Sequence, residues 1–123
     1  MEKFVTKSIL IVDDEPVMRE FLSDVLEDFD INTAIDGEHA IKILKDSKFD
    51  LVITDMKMPK VSGEEVVKYA KETYNDISII VISGYSSLTS VSNTLGYGVN
   101  AFLAKPFTIK QLRSEVEKAL QTG

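Results

Sequence analysis

Apolar residues along the chain follow two alternating rhythms. Short unbroken runs, such as Ile9-Leu10-Ile11-Val12 and Ile79-Ile80-Val81-Ile82, suit strands whose two faces are both covered. Between the runs, apolar positions recur three and four apart, as on one face of a helix. Strands are predicted over 8–12, 31–35, 50–54, 77–82 and 101–104. The strand at 31–35 carries the weakest signal, and 77–82, the most hydrophobic, is expected near the centre of the sheet.

Helices are predicted over 15–29, 37–46, 64–74, 86–95 and 108–120. The first rests on Val17, Phe21, Leu22, Val25, Leu26 and Phe29, with Pro16 where an opening turn tolerates it. The last rests on Ile109, Leu112, Val116, Ala119 and Leu120. The helix at 86–95 has the right spacing through Leu88, Val91 and Leu95, but its Ser and Thr content gives it poor propensity. The segment from Asp55 to Gly63 is expected to be a loop, since Pro59 and Gly63 both break regular structure.

Five strand–helix alternations predict βαβ units, hence an α/β fold with a parallel five-stranded sheet between helical layers. With 123 residues, 44% hydrophobic and 28% charged, the chain reads as one globular domain over 1–123. The net charge of −6 disfavours binding to nucleic acid or to an anionic membrane surface. With no cysteine, thiol chemistry and cysteine metal sites are excluded. Neither a signal-peptide pattern nor an apolar run long enough to cross a bilayer is present, so a cytoplasmic location is expected.

The strand ends carry the chemistry. Asp13 and Asp14 follow the first strand, Asp55 the third, Ser83 the fourth and Lys105-Pro106 the fifth. In an open parallel sheet these carboxyl ends share one edge, where ligands bind. Three carboxylates held close repel unless a cation lies among them, and an all-oxygen set suits Mg²⁺. A hydroxyl and an ammonium beside them suit a phosphoryl group.

Together these stretches resemble the receiver domain of response regulators in bacterial two-component signalling. The resemblance rests on Val12-Asp13-Asp14-Glu15-Pro16, on Asp55-Met56-Lys57-Met58-Pro59 with Gly63, on Ser83-Gly84-Tyr85, and on Phe102-Leu103-Ala104-Lys105-Pro106-Phe107. It spans essentially the whole chain. It implies a flavodoxin-like three-layer fold with strand order 2-1-3-4-5. It implies that Asp55 accepts a phosphoryl group from a phosphohistidine on a sensor histidine kinase or phosphotransfer protein. Asp14, Asp55 and the backbone carbonyl of Lys57 would bind Mg²⁺ directly, with Asp13 acting through a water. Lys105, aimed inward by a cis bond to Pro106, would contact one phosphoryl oxygen and Ser83 another. Ser83 and Phe102 would form the switch, reshaping the face built from 86–95, 101–104 and 108–120 to control an output domain or partner. The protein would then be no enzyme beyond its own phosphorylation and dephosphorylation, and either a monomer or a phosphorylation-dependent dimer.

Each residue also has a plainer reading when taken alone. Asp13-Asp14 could cap the next helix, Asp55 and Ser83 could be turn residues, and Lys105 could be a solvated lysine. Their joint placement on one sheet edge is what those readings leave unexplained. Phe102 could simply be core, Met56 and Met58 read as packing, and His39 as a surface residue. Ser stands at 83 where many members have Thr, and Ala101 where many have Asp; the last helix lacks the arginine run of one transcription-factor class. Ser83-Gly84-Tyr85 is nearer to receivers of enhancer-binding activators and hybrid kinases. Lys57 and Tyr85 flank the phosphoryl position, and the Tyr85 ring is expected to hinder the hydrolytic water.

Two rival functions make different demands. A flavodoxin-like electron carrier needs a hydroxyl- and glycine-rich phosphate loop where Asp13-Asp14-Glu15 stand. An aspartyl phosphohydrolase usually carries a second acid two residues beyond its nucleophile, where this chain has Lys57.

Overall fold

The computed structural model describes residues 6–84 and 96–121. In chain order these form β1 (Ser8–Val12), α1 (Pro16–Val25), β2 (Asp30–Ala34), α2 (Gly37–Asp46), β3 (Leu51–Asp55), α3 (Gly63–Thr73), β4 (Ser78–Ser83), β5 (Ala101–Ala104) and α4 (Ile109–Gln121). The helix expected over 86–95 and the adjoining Tyr85 lie outside the described residues.

The five strands pair in parallel in the order β2-β1-β3-β4-β5, the flavodoxin-like topology. Strand pleating splits the core in two, because successive side chains point to opposite faces. Ile9, Ile11, Ile53 and Ile80 meet Leu22 and Leu26 at α1, and Leu112 and Val116 of α4. Leu10, Val12, Val52 and Ile79 meet Ala40 and Leu44 of α2 and Val66, Val67 and Ala70 of α3. One sheet between two helical layers follows directly. Leu112 is fully buried, so truncating it to Ala would cost about 2–5 kcal/mol.

As expected for the most hydrophobic run, β4 lies near the centre of the sheet, one place from the middle strand β3, and both are buried along their whole length. Hydrophobicity reports covering on both faces, which both strands have. β2 is an edge strand with Asp30, Asn32 and Thr33 exposed, which explains its weak signal.

α1 also ends earlier than periodicity suggests, at Val25 rather than 29. Leu26 leaves helical geometry at φ −108° and ψ 27°. Phe29 N–H then donates to Leu26 O at 3.0 Å, and Asp30 N–H donates to Lys7 O at 2.9 Å as the chain enters β2. Leu26 and Phe29 still pack against the core, so their spacing imitates a further helical turn.

Helix starts follow local capping chemistry. Asp36 accepts from His39 N–H at 2.8 Å at the head of α2, and Ser62 from Glu65 N–H at 3.3 Å at the head of α3. At α4, Thr108 Oγ1 accepts from Gln111 N–H at 3.0 Å while Gln111 Oε1 accepts from Thr108 N–H at 2.8 Å, a capping box. Glu15, at the head of α1, makes no side-chain cap bond. Arg113 of α4 joins the far end of α1. Its guanidinium donates to Val25 O at 3.0 Å and to both Asp28 carboxylate oxygens at 2.9 and 3.0 Å. It also lies 5.7 Å above the Phe29 ring.

Candidate functional site

β1 and β3 are neighbours with Val12 opposite Thr54, so the next residues of both strands meet at the carboxyl edge. Carboxylate oxygens of Asp13, Asp14 and Asp55 lie within 4.8 Å of one another. Asp13 and Asp55 are buried, at 1% and 8% exposure, whereas Asp14 is exposed. Asp55 is the last residue of β3 and Ser83 the last of β4, so both groups sit inside the sheet rather than one residue beyond it. The ladder carries on past Asp55, with Met56 N–H donating to Ile82 O at 3.0 Å.

Asp13 is held by nearly every polar atom it has. Its N–H donates to Ala34 O at 3.3 Å, and its carbonyl accepts from an Arg19 guanidinium nitrogen at 2.7 Å. Its Oδ1 accepts from Glu15 N–H at 2.8 Å. The residue thus takes part in the turn that starts α1 and still contributes an oxygen to the acidic group.

Asp55 Oδ1 accepts from Lys57 N–H at 3.4 Å. Lys105 Nζ stands 3.7 Å from Asp55 Oδ2 and 3.9 Å from Glu15 Oε1. The Lys105–Pro106 peptide is cis, and Lys105 N–H donates to Ser83 O at 2.9 Å, which fixes the end of β5 against the end of β4. Behind Asp55 the start of α3 leaves no room for a side chain. A Cβ on Gly63 would lie 2.1 Å from Asp55 O and 2.7 Å from Met56 Cα.

The electrostatics follow from burial. Asp13 is pushed up to about 6, first by loss of solvent and then by the facing Asp55 charge, with the Glu15 N–H opposing. Asp55 is raised as well, again by burial first, with the Lys105 ammonium working against it. Two buried acids held above their ordinary range, with one ammonium nearby, form an oxygen-rich pocket short of positive charge. That donor set fits a hard divalent cation, and it is consistent with a Mg²⁺ site.

The remaining candidates fall around this centre. Lys57 is exposed on the loop after β3. Phe102 is half-buried; it packs against the core and lines a groove with Ala104, Pro106, Gln111 and Ser114 between β5 and α4. Met56 and Met58 are buried in the core. His39 is not one of the clustered ligand groups; its Nδ1 accepts from Ile35 N–H at 3.1 Å. Sequence reasoning overlooked Arg19 and quoted Glu15 only as part of a motif. Nothing in the spacing of an arginine six residues beyond an aspartate signals that its guanidinium returns to the aspartate's carbonyl.

Residues 9–117 match the family model described as response regulator receiver domain. A chemotaxis protein CheY homolog of Campylobacter jejuni is 31% identical over 121 residues, covering 94% of this chain and 93% of that protein. Sporulation initiation phosphotransferase F of Bacillus subtilis is 33% identical over 118 residues, covering 94% and 95%. Among solved structures, the response regulator protein TrrA of Thermotoga maritima, in complex with Mg(2+)-BeF, superposes with a TM-score of 0.85 at 36% identity, covering 94% of this chain and 100% of that one. Among the described residues, no helix is long and apolar enough to cross a membrane.

Proposed function

Since the chain belongs to the response-regulator receiver domain family, we propose that Asp55 is its phosphoacceptor, taking a phosphoryl group from a phosphohistidine of a sensor histidine kinase or phosphotransfer protein. The grouping of Asp13, Asp14 and Asp55 within 4.8 Å, with Lys105 Nζ 3.7 Å from Asp55, is the observation that carries the proposal. In the transfer, a carboxylate oxygen of Asp55 forms the new O–P bond as the P–N bond of the donor breaks. The imidazole leaves with the electron pair. A carboxylate needs no general base, so the chain's task is positioning and charge neutralisation.

Asp14, Asp55 and the Lys57 carbonyl would hold Mg²⁺, with Asp13 acting through a water; when bound, the ion neutralises charge on the phosphoryl oxygens. The Mg(2+)-BeF complex of the TrrA structure supports this cofactor. Lys105 supplies a second positive charge beside the acceptor, 3.7 Å from Asp55 Oδ2. Ser83, on the neighbouring strand end, hydrogen-bonds the transferred group. Phe102 then turns into the space Ser83 vacates, and the face formed by β5 and α4 changes its fit to an output domain or partner protein. This is a shift between two populated states driven by added charge. Water hydrolyses the acyl phosphate and resets the domain, at a rate that Lys57 and Tyr85 modulate. A cytoplasmic site of action suits this role.

The test is direct. Acetyl phosphate with Mg²⁺ should add one phosphoryl group to wild type, read by intact mass, and none to Asp55→Asn. A phosphoryl group retained by Asp55→Asn, or placed on another residue of wild type, would overturn the assignment.

A further inference from the structure

We infer that Arg19 is a positioning residue for the acidic pocket: its guanidinium, bonded to the Asp13 carbonyl, sets the aim of the Asp13 carboxylate. The inference rests on the cation-binding reading of the pocket but concerns a residue that reading does not use.

The argument is an accounting of polar atoms around Asp13. Its N–H is taken by Ala34 O at 3.3 Å, its carbonyl by Arg19 at 2.7 Å and its Oδ1 by Glu15 N–H at 2.8 Å. The residue is 1% exposed among acids that repel it. Two of the three anchors are backbone groups of the sheet and of the turn, which any sequence could supply. Arg19 is the side-chain anchor. It is the more telling because Glu15 brings no side-chain cap to the head of α1. The turn over 13–15 is therefore fastened from inside the helix, by a guanidinium reaching back about one turn.

Arg19 is itself fixed. Its N–H donates to Glu15 O at 3.1 Å, and its carbonyl accepts from Ser23 Oγ at 2.7 Å. The side chain is half-buried, so the bond is partly shielded from competing water. The guanidinium addresses the backbone of Asp13 and makes no ion pair with its carboxylate among the contacts described. Removal should therefore loosen the turn and let Asp13 rotate, rather than only change the charge of the pocket. Residues that orient ligands in this way commonly matter about 10-fold or more in metal affinity.

The experiment measures Mg²⁺ binding by titration calorimetry, with no phosphoryl donor present, on wild type, Arg19→Ala, Arg19→Lys and Glu20→Ala. Urea unfolding in EDTA runs alongside to establish that each variant is folded. The expected result is about 10-fold weaker Mg²⁺ binding in Arg19→Ala, an intermediate value for Arg19→Lys, and wild-type affinity for Glu20→Ala, an exposed neighbour on the same helix. Affinity of Arg19→Ala within twofold of wild type overturns the inference, as does an equal loss in Glu20→Ala. If Arg19→Ala does not fold, Arg19→Lys decides, and affinity within twofold of wild type again overturns it. A wild-type chain that binds Mg²⁺ but takes no phosphoryl group at Asp55 would sink the proposed function while leaving the role of Arg19 intact.

Discussion

Replacing Asp13 by Asn should stabilise the metal-free domain at neutral pH. Asp13 is 1% exposed, and burial together with the facing Asp55 raises it from 3.8 to about 6. A carboxyl held above its unfolded value favours folding only while protonated. Its stabilisation is complete below about 3.8 and gone above about 6. Ionised at pH 7, it costs about 3 kcal/mol relative to a group with no such gap. Asn retains the acceptor for Glu15 N–H but brings an amide that must find its own partner, so a net gain of about 1–2 kcal/mol is expected. For a domain of this size that corresponds to a rise of about 4–8 °C in Tm. The assay is thermal or urea unfolding of both proteins in EDTA between pH 4 and 7.5. The advantage of Asn should open as pH rises from 4 to 6 and then hold. Carboxyls remote from the pocket titrate in both proteins and cancel in the difference, whereas the facing Asp55 is relieved of a like charge in the Asn variant and adds to the same trend. Saturating Mg²⁺ should close or reverse the gap, since wild type gains about 2.7 kcal/mol at a hundredfold excess over its Kd. A less stable Asn variant in EDTA at pH 7, or a difference that does not change with pH, would refute the reasoning.

Other outcomes follow from separate features. Gly63→Ala forces a Cβ onto Asp55 O at 2.1 Å, so it should cost about 1–3 kcal/mol in urea unfolding and slow phosphorylation from acetyl phosphate. Arg113→Ala frees the end of α1 and should cost about 1–2 kcal/mol, with Arg113→Lys recovering little because the two-pronged contact to Asp28 is lost. Asp28 is held below its ordinary range by its hydrogen bond to Arg113, so its stabilisation is present above pH 4 and fades as pH falls through its lowered pKa; the Arg113→Ala penalty should shrink in acid. Tyr85→Ala should speed loss of the phosphoryl group in a dephosphorylation time course, and an unchanged or slower rate counts against a shielding ring.

Much of the architecture could be read from the chain because a parallel sheet covered on both sides demands apolar runs that nothing else in a small domain demands. The pocket was legible for the same reason: Asp13, Asp55, Ser83 and Lys105 each sit at the end of such a run, and topology does the rest. What spacing concealed was local. Leu26 and Phe29 keep a helical rhythm in a turn because the core needs them there, whatever the backbone does. Asp55 and Ser83 belong to their strands because main-chain pairing continues through them, which side-chain identity does not report. The grip of Arg19 on a carbonyl is a contact to the backbone, and backbone groups are the same in every sequence.

The order β2-β1-β3-β4-β5 has a consequence for how the molecule is made. Of these five strands the first to be translated, β1, is an interior one, and its inner neighbour β3 follows some forty residues later. Until Leu51–Asp55 emerges, Ile9 to Val12 has only the rim strand beside it, and Asp13 has no Asp55 opposite. The three acids therefore come together in one late zippering of β1 to β3, and the lysine that faces them arrives only with β5. A growing chain thus gathers its three carboxylates before it owns the ammonium that faces them.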